Sequence, residues 1–243
     1  MVKYLILIIL HLLGDFYLQT TKVAQCKNAK KEPTCEECKK CKDNSWVNWK
    51  YLLVHSLLYI LPFLTLYIIM GGIYVTLVIC ILLVTHILID TTSCYFNKRN
   101  KQTVVFIIDQ AFHVGIICLI SRFVTFSYNI NDSYYSVLKV VFTCLILIMP
   151  CSIMINKLFK DIYPHSNEIG MFDIGSIIGV MERILTFIFA YFESFPAIAI
   201  IITVKTWART NDLKEPEFRN KYLLGTLTSL VLALIVFIVY KSI

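Results

Sequence analysis

Long apolar runs alternate with short polar gaps along this chain, and the runs are about 18 to 25 residues long, the length a helix needs to cross the hydrocarbon of a bilayer. The pattern predicts about eight spans, near 2–20, 49–70, 73–92, 104–126, 134–156, 174–193, 194–209 and 217–240. Helices are expected throughout, because an open strand edge in lipid leaves backbone N–H and C=O groups without partners. The first run has no small-residue cleavage site and is expected to remain as a span. The seventh is short and begins after Pro196, which suits a tilted or re-entrant segment. The expected fold is an all-α polytopic transmembrane helix bundle, a single integral membrane domain over 1–243, with a cytoplasmic Cys/Lys-rich loop at 21–48 inserted between the first two spans.

Composition agrees. Hydrophobic residues make up 58% and charged residues 16% of the chain, and the mean hydropathy is +0.70, too apolar for a domain that must cover itself with a polar surface. Orientation follows from Lys and Arg, which cytoplasmic loops retain. Residues 21–50 hold eight lysines, and further basic residues sit at 98–101, 157–160 and 205–221. The alternate gaps at 71–72, 126–134 and 193–196 hold no Lys or Arg. Both termini are therefore expected outside, in a cytoplasmic (inner) membrane. The net charge of +7 then faces anionic lipid headgroups, and nucleic acid is not needed to explain it.

The apolar runs are interrupted in a regular way. "HLLGD" contains His11 and Asp15, "HILID" contains His86 and Asp90, and "DQAFH" contains Asp109 and His113. A spacing of four puts each pair on one helix face, about one turn apart. Spans one and three run toward the cytoplasm and read His then Asp; span four runs away from it and reads Asp then His. In all three the Asp is nearer the cytoplasm and the His one turn deeper, and His55, in "YLLVHSLLY", falls in the same layer. An isolated charge at such depth costs about 2.5 to 3.5 kcal/mol, so these groups are expected to pair, face a cavity or bind an ion. Imidazole with carboxylate suits a divalent metal such as Zn, Mn or Fe, and helix bundles build such sites from pairs at this spacing. The metal ligands expected are His11, Asp15, His55, His86, Asp90, Asp109 and His113, with Gln19 and Gln110 orienting them. The alternative is that the same residues only hydrogen-bond the helices together.

These stretches, with "HLLGDFYLQ" and "HSLLY" and followed by "IGSIIGVMERIL", "VKTWARTND" and "KYLLGTLTSL", resemble a bacterial membrane family known as domain of unknown function 3307 over nearly the whole chain. The resemblance implies a membrane bundle and no established reaction. The His/Asp arrangement is also similar in pattern to membrane-bound metal-dependent hydrolases. The chain departs from the family in "CKNAKKEPTCEECKKCKDNSW", which looks like an insertion, and in "IDTTS", which lacks a lysine expected shortly after the aspartate.

In the second half, Glu182 and Arg183 lie within a span, and Glu182 is read either as an ion-pair partner or, with Asp109, as a catalytic carboxylate. Lys205 and Arg209 sit where their heads meet lipid headgroups or a substrate phosphate. Cys26, Cys35, Cys38 and Cys41 form C-x8-C-x2-C-x2-C in the basic loop. In a reducing compartment disulfides are disfavoured, and the four thiols are read as a structural zinc site, as free thiols or as a redox group. No phosphate-cradling glycine loop, nucleophile elbow or nucleic-acid motif is present. Three functions are expected to compete: a metal-dependent hydrolase of a lipid-linked or amphiphilic substrate, an ion- or proton-coupled transporter, and a scaffold recruiting an unidentified protein partner through the Cys loop.

Overall fold

The structure, a computed structural model, describes residues 2–27, 47–69, 72–97, 101–124, 132–164 and 174–243. Among these, every regular element is a helix. α1 (Val2–Leu12) runs into a π-helical turn at Leu13–Tyr17 and is followed by the short α2 (Thr21–Lys27). Then come α3 (Trp49–Ile60), a 3-10 turn at Pro62–Thr65, α4 (Leu66–Ile69), α5 (Ile73–Asn97) and α6 (Gln102–Ser121). The chain ends with α7 (Asp132–Ile162), α8 (Ile174–Tyr191), α9 (Phe195–Ala208) and α10 (Pro216–Ser242).

Among the described residues, six segments are long and apolar enough to cross a membrane: Trp49–Ile68, Ile73–Asn97, Gln102–Ser121, Tyr134–Ile162, Ile174–Tyr191 and Pro216–Ser242. The chain is accordingly a multi-pass membrane protein. The other two of the eight expected spans form shorter helices. α1 gives way to the π-turn after 11 residues, and α9 has 14, against about 20 needed to cross perpendicular to the bilayer. Large apolar side chains such as Ile68, Phe123 and Trp207 are exposed, as lipid-facing positions are and water-facing ones are not.

The chain packs as two compact units, residues 1–142 and 143–243. In the first, α5 lies between α3 and α6, and α1 packs on α6. Its apolar core is built from Leu7 and Leu10, then Tyr59, Phe63 and Leu66, then Val75, Ile79 and Leu82, and Ile117 and Ile120. On each helix these positions lie on the same side of the intramembrane histidine: before His11 and His86, after His55 and His113. The core therefore forms an apolar layer above a polar one. At Gly14 the π-turn presses against α3 so closely that a Cβ would lie 2.5 Å from the Tyr59 carbonyl oxygen; glycine is the residue that permits this approach.

In the second unit α8 packs on both α9 and α10, around Leu147, Cys151, Ala233 and Val236. Pro150 sits inside α7, where it has no N–H for the carbonyl one turn back and loosens that turn.

Candidate metal centre

Four helical segments of the first unit deliver the intramembrane polar residues to one place: His11 and Asp15 from α1 and its π-turn, His55 from α3, His86 and Asp90 from α5, Asp109 and His113 from α6. The π-turn adds a residue to the turn that carries Asp15, with Leu18 N bonding back to Leu13 O at 3.0 Å, and such bulges re-aim side chains at functional sites. His11, His55 and His86 are fully enclosed, and Asp15, Asp90 and His113 are buried. The rings of His55 and His86 lie 4.9 Å apart, those of His86 and His113 4.8 Å, and those of His113 and His11 5.2 Å.

Two carboxylates sit among these rings. His55 Nε2 is 3.1 Å from Asp15 Oδ1 and 3.3 Å from Asp90 Oδ2. His86 Nε2 is 3.8 Å from Asp90 Oδ2, and His113 Nε2 is 3.6 Å from Asp90 Oδ1 and 3.9 Å from Asp109 Oδ2. These approaches are close in distance and poor in direction. Among the described residues, no aligned hydrogen-bond partner is found for either ring nitrogen of His55 or His86, for His113 Nε2 or for His11 Nδ1. A buried polar atom without a partner costs roughly 1 to 3 kcal/mol, so a cluster of them needs a reason.

A cation answers the chemistry of this donor set. Asp15, His55 and His86 bring one ligand atom each within 4.8 Å of one another, and so do His86, Asp90 and His113. Ligands around a tetrahedral ion of 2.0–2.1 Å bond length stand roughly 3.4 Å apart, so either triad reaches a metal by closing slightly. The buried His/Asp clusters can hold a metal ion.

The surrounding groups hold the cluster in place. Gln110 Nε2 donates to Asp15 Oδ2 at 2.9 Å and to Asp109 Oδ2 at 3.1 Å, while its Oε1 faces His11 Nε2 at 3.3 Å. Ser93 donates to Asp109 Oδ1. Tyr59 stacks on His86 at 3.8 Å with the rings nearly parallel. Lys27, at the end of α2, places Nζ 2.9 Å from Asp90 Oδ2. Burial disfavours its ammonium, yet Asp90 and then Asp15 outweigh that and hold Lys27 above the ordinary lysine range.

The sequence pattern did not single out Lys27, Ser93 or Tyr59. Tyr59 had a signal, since it follows His55 by four and shares its face. Lys27 had none, being one of eight lysines in a loop. Where the family resemblance leads one to expect a lysine after Asp90, Ser93 instead serves Asp109 and the ammonium arrives from α2.

The remaining expected site residues lie elsewhere. Gln19 is half-buried two residues past the π-turn, and Gln110 is the amide brought into the cluster. Cys26 is buried in the first unit, whereas Cys35, Cys38 and Cys41 lie outside the described residues. Glu182 belongs to the second unit, where its carboxylate meets Lys205 Nζ at 2.7 Å. Lys205 also donates to Thr226 Oγ1 at 3.2 Å, and Arg209 pairs on the surface with Asp212. Glu182, Lys205, Thr186, Thr226 and Ser229 line a cavity of about 20 Å³, room for one water molecule.

A family model described as a protein of unknown function, DUF3307, matches residues 4–143. The chain belongs to this family. The match is narrower than the resemblance read over nearly the whole chain: it takes in the entire His/Asp cluster and stops before "IGSIIGVMERIL" and "VKTWARTND". No curated protein and no solved structure matches the chain, so the likeness to membrane-bound hydrolases rests on the His/Asp pattern alone.

Proposed function

We propose that the first unit is a divalent-metal centre open toward the cytoplasmic face of a bacterial inner membrane, and that it hydrolyses an amphiphilic substrate. The observation that carries this reading is the set of enclosed imidazole nitrogens without aligned partners around Asp15 and Asp90. His55, His86 and His113 with Asp15 and Asp90 are the ligands of the reading; His11 and Gln110 orient them.

Charge supports one ion. Asp15, Asp90 and Asp109 carry three negative charges and Lys27 one positive, which leaves two to be balanced when the histidines are neutral. Zn, Mn or Fe in the divalent state fits both that count and the donor types. When bound, such an ion supplies a water of lowered pKa and polarises the bond to be cut. Asp109, held by Ser93 and Gln110 at the edge of the cluster, is the carboxylate placed to take a proton. Glu182 is left to its pairing with Lys205.

The apolar layer beyond the histidines favours an enzyme over a carrier. Phe63, Leu66, Val75 and Ile117 are all buried there and offer an ion no polar step onward, which favours access from one side. Orientation rests on the Lys and Arg distribution, which puts the Asp end of the cluster at the cytoplasmic face.

Elemental analysis of the detergent-purified protein tests the metal. About one equivalent of a transition metal is expected, lost when His86→Ala is combined with Asp90→Ala and kept when Cys38→Ser is combined with Cys41→Ser. A protein that folds and takes up no divalent ion sinks the reading. With metal established, release of a water-soluble product from amphiphilic esters or phosphoesters, abolished by chelation, tests the hydrolysis.

A further inference from the structure

Resting on that metal reading, we infer that Lys27 is the anchor for an anionic head on the substrate, which assigns the substrate to molecules carrying a phosphoryl group. An ammonium has three N–H donors, and Lys27 meets Asp90 Oδ2 with one of them at 2.9 Å, a contact to which the fold brings it. Val23 and Cys26 of α2 are buried, Val23 N donates to Thr20 Oγ1 at 3.3 Å, and the Lys27 carbonyl accepts from Asn48 N at 3.4 Å. The backbone at the lysine and in the turn before it is thus held in place.

Lys27 also reaches between two environments. Its side chain is 16% exposed where that of Asp90 is 3% exposed, so Lys27 is the less enclosed partner of the pair. An ion bound to Asp90 at about 2.1 Å and an ammonium 2.9 Å from the same carboxylate lie on the order of 4 to 5 Å apart. That separation is bridged by one anionic oxygen, or by two oxygens of one phosphoryl group, touching both cations. Once Asp90 is shared with a metal, its hold on Lys27 weakens, and the remaining ammonium protons are available to a second anion. A neutral ester offers those protons only weak acceptors. A phosphoryl oxyanion engages them through charge-assisted hydrogen bonds.

The test loads the full-length protein with Mn²⁺ and reads paramagnetic broadening of the phosphorus-31 signal of two probes, inorganic phosphate and a short-chain phosphatidate. Broadening of both probes, or of either alone, by the wild type supports the inference; phosphatidate alone assigns the source to a lipid headgroup, and phosphate alone to a soluble molecule. Lys27→Met is expected to retain Mn²⁺ and to lose at least tenfold in affinity for the probe, while Lys27→Arg retains both. Undiminished binding by Lys27→Met overturns the inference with the metal centre intact. Loss of Mn²⁺ from Lys27→Met and Lys27→Arg alike makes Lys27 a packing group and also overturns it. A wild type that holds no Mn²⁺ removes the metal reading first, and the anion site with it.

Discussion

The two units bury polar groups to similar depth and treat them in opposite ways. In the second, Arg183 is 3% exposed, yet each guanidinium nitrogen donates: Nε to Leu147 O at 2.8 Å, one terminal nitrogen to Ser152 Oγ, the other to Ser229 Oγ at 3.4 Å. Beside it Glu182 is paired with Lys205. In the first, His113 is also 3% exposed, but its Nε2 and both nitrogens of His55 and His86 have no aligned partner among the described residues. Satisfied polar groups tie α7, α8 and α10 together. Unsatisfied ones are what a ligand site looks like before its ligand. The family model stops at residue 143, where the second unit begins, so what defines the family is the unit with the unsatisfied cluster.

Chelation should break this contrast most strongly. A divalent ion at a thousand times its Kd adds roughly 4 kcal/mol of stability; thermal unfolding in detergent is expected to show it with Zn²⁺ or Mn²⁺, and a chelator should abolish it. The gain should vanish in His86→Phe, whose metal-free stability stays within about 1 kcal/mol of wild type because the replaced ring had no hydrogen bonds to lose. If His86→Phe costs several kcal/mol without metal, the histidines are structural.

Arg183→Met should do the reverse. It removes the donors to Leu147 O, Ser152 Oγ and Ser229 Oγ, a loss of about 2 to 3 kcal/mol, with metal content unchanged. A variant that unfolds no more easily than wild type would show that the Arg183 bonds do not hold the second unit together.

Gly14→Ala is expected to cost about 1 to 3 kcal/mol, since its methyl meets the Tyr59 backbone and overpacks the contact. Because Tyr59 stacks on His86, metal affinity should fall together with stability. Weakened folding with unaltered metal affinity would separate the close approach from the site.

The smallest effect is expected for Lys205→Met. Its pair with Glu182 is partly exposed, at 25% and 17%, and such pairs are worth at most about 1 kcal/mol. A larger loss, or a loss of bound metal, would join the two polar regions functionally.

Much of the cluster was legible because it obeys helix geometry. Three His/Asp pairs spaced by four, with their order reversed in the one helix that runs the other way, put every imidazole one turn beyond its carboxylate, and the structure finds those six residues together with His55. The number of full-length spans was less legible. Hydropathy marks where a chain is apolar, but it does not mark where α1 gives way to a π-turn or that α9 ends at Ala208. Glu182 illustrates the same limit: an acid inside a span reads alike whether it meets a lysine or a ligand.

The sequence by itself determined that this chain is helical, that it lives in a membrane, and which residues share a helix face, because periodicity and apolar length are local properties of a chain in lipid. Only the tertiary structure decided which ring nitrogens are left without aligned partners among the described residues and that Lys27 reaches Asp90. Lys27 and Asp90 are 63 positions apart, and direction as well as distance determines whether a buried nitrogen is bonded, so neither outcome is written in any short stretch of sequence.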